Sequence, residues 1–402
     1  MTLSEDLHWR GLIHQTTLDD NTKLDVPRIF YLGVDPSSDS MTIGNLAVVL
    51  LVRRLIEAGH TGIMLVGGAT GMIGDPKETA ERTLKSVGEI SRNKEALAKQ
   101  FRQLLANSNI EVVDNYQWFK DIQYIDFLRE IGKNFSMSQL LDRDFVKKRT
   151  GTDGQGLSYA EFSYSLIQGY DFLHLFREKN VTLQIGASDQ WGNMLSGAQL
   201  VRQMTGKSVD VLTMPLVINA ETGQKFGKTE DGAIWLDSSK TSVYTFYQFW
   251  FNVPDDAVAD YLKIYTFLSK EEIESIVQSH VSQMNQRTAQ KRLAYEVTAI
   301  VHGEEAAKRV EKVTDFLFAQ EDQSDVAHDL IDLLKQELSC VSAGIPLLDA
   351  LQQSGVASSK GEARRLVHGG AITIHGQRAD EHDITVTHTV IKKGKNTFLF
   401  VA

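Results

Sequence analysis

Only one cysteine, Cys340, occurs in this chain of 402 residues. That excludes an internal disulfide framework and fits a reducing compartment, and the thiol itself is expected to be a small buried hydrophobe. No stretch approaches the ~18 uninterrupted apolar residues of a membrane-spanning helix, so no membrane association is expected. The opening residues, Met1 to Asp6, carry two acidic side chains and no apolar core of a secretory signal, which points to a cytoplasmic location. The 11 histidines fall at no metal-ligand spacing, so no metal site is expected. Internal repeats are lacking as well.

Positive charge is also short: 42 Lys and Arg stand against 52 Asp and Glu, a net charge of −10. That balance argues against nucleic acid until its distribution is considered. Residues 355–402 carry Lys360, Arg364, Arg365, Arg378, Lys392, Lys393 and Lys395 against Glu362, Asp380, Glu381 and Asp383. A basic end on an acidic body repels nucleic acid that is wrongly placed, so binding is expected to be salt-sensitive and orientation-specific.

With 42% apolar and 23% charged residues, the composition is that of an ordinary globular protein of two or three domains. Residues 1–240 alternate β-like runs with helical periodicity. Strands are expected at Ile29–Val34, Gly62–Val66, Ile110–Asp114, Val181–Ile185 and Val211–Pro215. Helices are expected at Ile43–Ala58, Glu89–Ala106, Tyr124–Ile131 and Phe162–Phe176. This alternation predicts an α/β fold, a Rossmann-type doubly wound parallel sheet with ligands beyond the strand C-termini. Residues 147–156 read as a polar, Gly-rich, mobile loop. Over 241–318 strands disappear and a helical domain is expected, with helix starts at Pro254-Asp255-Asp256 and at Ser269. Residues 319–332 read as a linker. Residues 333–402, with helical patterns at 345–351 and 358–367 and short strands at 371–374 and 397–401, form a small α+β domain.

The run from Arg28 to Leu46 reads as an apolar strand, a polar loop and a helix start with Gly44 in its first turn. Such a helix N-terminus attracts anions, because free N–H groups and the helix dipole point at the ligand. By itself this is ordinary α/β architecture. It gains weight from Lys225-Phe226-Gly227-Lys228-Thr229, where two lysines flank a glycine. Together the two segments resemble the signatures of class I aminoacyl-tRNA synthetases. Four further blocks, Tyr31–Pro36, Val66–Pro76, Glu161–Asp171 and Gln184–Asn193, make the chain similar to the bacterial-type tyrosyl-tRNA synthetase family. The C-terminal part resembles an S4-type RNA-binding domain.

The resemblance implies a ligase that uses ATP with Mg2+ and holds no tightly bound cofactor. It activates L-tyrosine and then charges tRNA(Tyr), as a homodimer with tRNA bound across subunits. It implies that Lys225, Lys228 and Thr229 hold the β- and γ-phosphates, with Thr42, Asn45, Ser37 and Arg82 also at the phosphates. Tyr164, Gln168, Asp75 and Thr70 would bind the substrate ammonium, and Gln190 its carboxylate. Tyr31 and Asp171 would hydrogen-bond the phenol. Gly33, Asp35, Gly44, Gly186 and Asp189 would line the nucleotide, and Lys360, Arg364 and Arg365 would meet tRNA. Independently of the family, Tyr164, Gln168 and Asp171 stand at i, i+4 and i+7, one face of a helix. An apolar patch around Phe135 and Tyr159 is a candidate subunit contact, although periodicity does not separate interface from core.

The chain departs from the family in one notable place. The usual His-Ile-Gly-His reads Thr42-Ile43-Gly44-Asn45 here, exchanging a side chain that can be cationic for a shorter hydroxyl. Leu32 stands where a small residue is common, and the loop from Lys77 to Arg82 is one residue short. Two alternatives follow: a paralogue of the same fold that binds RNA without charging it, and a synthetase for another aromatic amino acid. Retention of Lys225 and Lys228 counts against the first, and the Tyr31/Asp171 pair against the second.

Overall fold

The computed structural model describes residues 1–76, 83–105, 110–142, 144–151, 156–218, 226, 228–229, 232–318, 328–394 and 397–402. Two compact units emerge. One comprises Met1–Leu236 with Lys263–Phe267, the other Asp237–Leu262 with Leu268–Ala402. Among the described residues no helix is long and apolar enough to cross a membrane.

The first unit is built on a six-stranded sheet. Its strands are β1 (Gln15–Thr16), β2 (Ile29–Val34), β3 (Thr61–Val66), β4 (Ile110–Asp114), β5 (Leu183–Ala187) and β6 (Asp210–Met214). They lie in the order β1-β6-β5-β2-β3-β4, with β1 antiparallel to β6 and the rest parallel. The expected strands agree to within two residues. They were legible because strands covered on both faces are nearly continuous apolar runs, as the burial of Gly62–Val66 shows. From β2 the chain builds outward to β3 and β4, then returns to lay β5 on the other side of β2. The order therefore reverses between β2 and β5, and the crevice at their C-terminal ends is where such sheets bind ligands.

Five helices frame that crevice: α1 (Ile43–Glu57), α2 (Gly68–Ile73), α3 (Val87–Leu104), α4 (Tyr159–Lys179) and α5 (Trp191–Thr205). A capping box fixes the start of α4: Ser158 Oγ accepts from Glu161 N while Glu161 Oε2 accepts from Ser158 N, both at 3.3 Å. Asn180 ends it in the left-handed conformation, φ 55°. The expectation of a loop over 147–156 is corrected in part. Residues Asp144–Thr150 form a short helix, and residues 152–155 lie outside the described residues. The cause is a buried ion pair: Arg149 Nη2 lies 3.0 Å from Glu161 Oε2, both side chains 3% exposed. Of the suggested apolar patch, Tyr159 is exposed. Phe135, by contrast, packs into the core so closely that a Cβ on Gly169 would lie 2.9 Å from its ring.

A small hairpin, β7 (Lys228–Thr229) with β8 (Gly232–Ala233), completes this unit.

The second unit begins with α6 (Val243–Phe251) and α7 (Val258–Tyr265, shared at its end with the first unit). It continues through α8 (Lys270–Ser282), α9 (Thr288–His302) and α10 (Glu304–Phe318) around the buried rings of Phe246, Tyr247 and Trp250. Ser269 caps α8 with Glu272 as expected. The helix expected at Pro254 starts only at Val258. Asp255 is drawn away instead, accepting from Gln290 Nε2 at 2.6 Å and lying 3.1 Å from His280 Nε2. The predicted linker is shorter than expected. Residues 319–327 lie outside the described residues, but α11 (His328–Glu337) already occupies its last five positions, with Ile331 and Leu334 buried.

Helices α12 (Leu347–Gln353) and α13 (Lys360–His368) then pack on a sheet ordered β11-β10-β12-β13-β9. Its strands are β9 (Ser339–Val341), β10 (Ile372–Ile374), β11 (Gln377–Arg378), β12 (Val390–Lys393) and β13 (Thr397–Val401). Cys340 is exposed, not buried, and lies on the edge strand β9, where Ser339 is exposed too and only Val341 turns into the core.

Candidate active site

The reversal between β2 and β5 opens into a cavity of about 760 Å³ in the first unit. Gly33 and Asp35 reach it from the end of β2, and Gly186, Asp189 and Gln190 from the end of β5. Ser37, Thr42, Gly44 and Asn45 line it from the β2–α1 connection. Asp75 and Tyr164 close another side. Eleven of the residues singled out by sequence thus share one cavity, because the parallel sheet delivers every strand end to the same edge.

At the start of α1, Thr42 N donates to Asn45 Oδ1 at 3.0 Å and Thr42 Oγ1 donates to the same oxygen at 3.2 Å. The threonine hydroxyl proton is therefore engaged inside the protein, and the Asn45 amide Nδ2 is the donor left for a ligand. Ile43 N donates to Ile234 O at 3.1 Å, and Leu236 N donates to Met41 O at 2.9 Å. These bonds bring the chain that follows the second signature against the first. Gly44 suits this contact, since a Cβ there would lie 3.1 Å from Phe226 O, closer than most real Cβ contacts. Lys228 and Thr229 form β7 opposite Ala233 and Gly232. Lys225 and Arg82 lie outside the described residues.

Behind the large cavity a second one of about 40 Å³ shares Gly33, Asp35, Tyr164 and Gln190 with it. Tyr31 and Gln184, register partners on β2 and β5, line it with Thr70, Gln168 and Asp171. The i, i+4, i+7 stripe read from α4 does face one site. Three buried polar atoms here have no hydrogen-bond partner: Tyr31 Oη, Gln168 Oε1 and Gln184 Oε1. Buried polar groups are nearly always satisfied, so these three atoms around one cavity call for polar partners within it, from a ligand or from water.

Asp171 is held from behind. Asn115 Nδ2 donates to Oδ2 at 3.1 Å and Trp118 Nε1 donates to Oδ1 at 2.9 Å. Asn115 is itself fixed: Ala69 N donates to its Oδ1 at 2.7 Å, and its Nδ2 also reaches Thr70 Oγ1 at 3.2 Å. Burial nevertheless pushes the Asp171 carboxyl up to about 8, against the pull of those two donors and with the help of Asp35 and Asp114. Burial, then Asp171, raise the Tyr31 phenol well above its ordinary value. Burial, then Asp35, do the same for Tyr164, whose Oη donates to Asp35 Oδ2 at 2.9 Å.

Between the two cavities Gln190 Nε2 donates to Asp75 Oδ2 at 2.9 Å. Asn193 Nδ2 reaches Asp75 Oδ1 and Gln190 Oε1, each at 3.4 Å, and Ser165 Oγ donates to Asn193 Oδ1 at 2.8 Å. The glycines before α2 are needed for closeness: a Cβ on Gly67 would lie 2.0 Å from Thr70 Oγ1 and 2.4 Å from Asp35 Oδ1. Sequence reading overlooked Asn115, Trp118, Gln184 and Asn193. Asn115 directly follows the end of β4, so the strand-end rule could have found it. Trp118 carried no such signal.

In the second unit Lys360, Arg364 and Arg365 lie on exposed positions of α13. Lys360 pairs with Asp349, and Arg364 Nε lies 2.8 Å from Glu381 Oε2. Both pairs are solvent-accessible and weak enough to open for a polyanion.

Comparison with known proteins agrees with this geometry. A family profile described as "tRNA synthetases class I (W and Y)" matches residues 23–319, and one described as "Tyrosine--tRNA ligase SYY-like C-terminal domain" matches residues 333–401. A tyrosine–tRNA ligase of Bacillus caldotenax is 42% identical over 421 aligned residues, covering 100% of this chain and 99% of the relative. Tyrosine–tRNA ligase 1 of Bacillus subtilis (strain 168) is also 42% identical, covering 99% of each. The solved structure of a C-terminally truncated mitochondrial tyrosyl-tRNA synthetase from Aspergillus nidulans superposes with a TM-score of 0.71 at 29% identity, covering 79% of this chain and 94% of that one. The chain thus belongs to the class I aminoacyl-tRNA synthetases, in the tyrosine–tRNA ligase family.

Proposed function

We propose that this protein joins L-tyrosine to ATP, giving tyrosyl-adenylate and pyrophosphate, and then transfers the tyrosyl group to the 3′ end of tRNA(Tyr). The observation that carries the reading is the inner pocket. A phenol entering between Tyr31 and Asp171 gives the orphaned Tyr31 hydroxyl its missing partner and adds one to the buried carboxyl that Asn115 and Trp118 hold from behind. Tyrosine fits on these grounds, phenylalanine leaves the Tyr31 hydroxyl unpaired, and an indole offers no hydroxyl to either.

In the first step a tyrosine carboxylate oxygen bonds to the α-phosphorus while the bond from that phosphorus to the bridging oxygen breaks, and pyrophosphate leaves. The carboxylate is already ionised, so no general base is needed. Catalysis is positioning and stabilisation of charge on the phosphates. Asp75 and Tyr164, with Gln168 and Thr70, receive the ammonium. Gln190, steadied by Asp75, is aimed at the carboxylate. Gly33, Asp35, Gly44, Gly186 and Asp189 line the nucleotide. Asn45, Ser37, Lys225, Lys228, Thr229 and Arg82 act on the phosphates of ATP, delivered as its magnesium complex. Thr42 acts by orienting Asn45, which accounts for the loss of a histidine without loss of a donor. In the second step the terminal ribose hydroxyl attacks the acyl carbon and AMP departs.

Residues 1–240 form the catalytic domain on this reading, 241–318 the anticodon-binding helices, and 333–402 an S4-like module that meets tRNA through Lys360, Arg364 and Arg365. The exposed Tyr124, Ile125, Met137, Leu141 and Tyr159 suit a homodimer contact. The protein works in the cytoplasm. The test is charging of bulk bacterial tRNA with labelled tyrosine. Label in acid-precipitable, base-labile form is expected. Salt-sensitive tRNA binding without any charging would favour a non-catalytic paralogue.

A further inference from the structure

We propose that Tyr265, far from either signature in sequence, is a positioning residue for the second signature and acts through Phe226. The proposal rests on the reading of Lys225 and Lys228 as phosphate-binding residues.

Phe226 stands between the two lysines in sequence. It is 5% exposed, its N–H donates to Val217 O at 2.8 Å, and it lines the large cavity. Its ring packs on that of Tyr265, centroids 5.8 Å apart at 37°. Its carbonyl oxygen meanwhile rests on Gly44 in the first turn of α1. Tyr265 is fully buried and is not part of the cavity wall, so it touches no substrate itself.

The peptide carrying Tyr265 is gripped from the opposite end of α1 and from Arg10, the C-cap of the helix Leu3–Trp9. Arg54 Nη2 donates to Thr266 O, and Arg10 Nη1 donates to Lys263 O at 2.9 Å and to Thr266 O at 3.4 Å. Arg10 is anchored in turn by Asp6, whose carboxylate accepts from its Nε at 2.8 Å. The guanidinium carbons of Arg53 and Arg54 each sit 4.5 Å from the centre of the Phe267 ring. These contacts satisfy the carbonyls that the end of α7 leaves without helical partners.

One rigid helix therefore meets the second signature twice. Its first turn touches Phe226 through Gly44. Its last turn, roughly 15 Å further along the axis, holds the aromatic seat under the same phenylalanine. The arrangement sets Phe226, the residue between the two lysines in sequence, against the first signature before ATP arrives. Placement matters because a displacement of about 1 Å at a reacting group costs on the order of 100-fold in rate.

The test compares Tyr265→Leu, which fills the space without a ring, with Tyr265→Phe, which keeps the ring. The dissociation constant of tyrosine is measured by equilibrium dialysis, and the ATP dependence of adenylate formation by rapid quench. Tyr265→Leu is expected to raise KM for ATP and lower the activation rate by about tenfold or more, with tyrosine binding unchanged and Tyr265→Phe like the unaltered protein. Should Tyr265→Leu fail to fold, Phe226→Leu removes the ring from the other partner and carries the same expectation. Unaltered ATP parameters in the folded Leu variant would overturn the proposal, as would a parallel loss of tyrosine binding. Lys228→Ala separates the two levels. If it abolishes activation while Tyr265→Leu does not, the seat is wrong and the lysine reading stands. If Lys228→Ala is itself active, the lysine reading has failed and the proposal falls with it.

Discussion

Asp171→Asn isolates the energetics of the phenol pocket. Burial holds the Asp171 carboxyl at about 8 in the folded protein, against about 3.9 in an unfolded chain. Between those values the unfolded chain has released a proton that the folded protein keeps. The folded state therefore binds more protons, and its stability falls as pH rises, by about 1.4 kcal/mol per pH unit for this one group. The contribution is fully present below about pH 4 and is lost as pH rises through about 8. Asparagine cannot ionise, so this slope disappears in the variant. Asparagine also turns an N–H toward either Asn115 or Trp118, a mismatch of about 1–3 kcal/mol that does not depend on pH. The two effects separate as slope and offset. Urea unfolding of the first unit, compared for the two proteins between about pH 5.5 and 7.5, should show the variant gaining about 2–3 kcal/mol relative to the parent. A difference that stays flat over that range would mean that Asp171 is ionised in the fold, and that its two donors outweigh its burial.

Tyr31→Phe removes a buried hydroxyl with no partner. The free protein should lose no stability, while preference for tyrosine over phenylalanine in activation should fall by about 2- to 12-fold, the worth of one neutral hydrogen bond. Gly67→Ala would drive a methyl group into Thr70 and Asp35. Calorimetric titration should show weakened tyrosine binding, and melting should show a loss of about 1–3 kcal/mol. Arg149→Ala strands Glu161 as an unpaired buried charge and should cost about 3–5 kcal/mol, most of which the double variant Arg149→Met with Glu161→Leu should recover in thermal unfolding.

The elements that the sequence made legible are those governed by short-range pattern. Strands β2 to β6 were legible as apolar runs, and the site face of α4 as the spacing of Tyr164, Gln168 and Asp171. The family resemblance named Gly33, Asp35, Gly186 and Asp189 for the nucleotide, and they line one cavity at the strand ends. What remained hidden depended on distant partners. Asn115, just past β4, and Trp118, on the short helix Tyr116–Phe119, hold Asp171, and no local spacing connects them to α4. Thr42 looked like a weakened phosphate ligand, and only the structure shows its hydroxyl committed to Asn45. Pro254 and its aspartates had the composition of a helix start, but Gln290 and His280 claim Asp255. Cys340 is exposed on a strand at the sheet edge, a matter of strand order that a single residue type does not encode. The family resemblance supplied the roles of the lysines, which spacing alone would have left as a solvated turn.

Amino-acid-dependent exchange of pyrophosphate into ATP tests the central claim most directly, with tyrosine, phenylalanine and tryptophan run side by side on the intact protein. Exchange is expected with tyrosine, little with phenylalanine and none with tryptophan. Absence of exchange with tyrosine from folded protein, or exchange with tryptophan in its place, would contradict the claim.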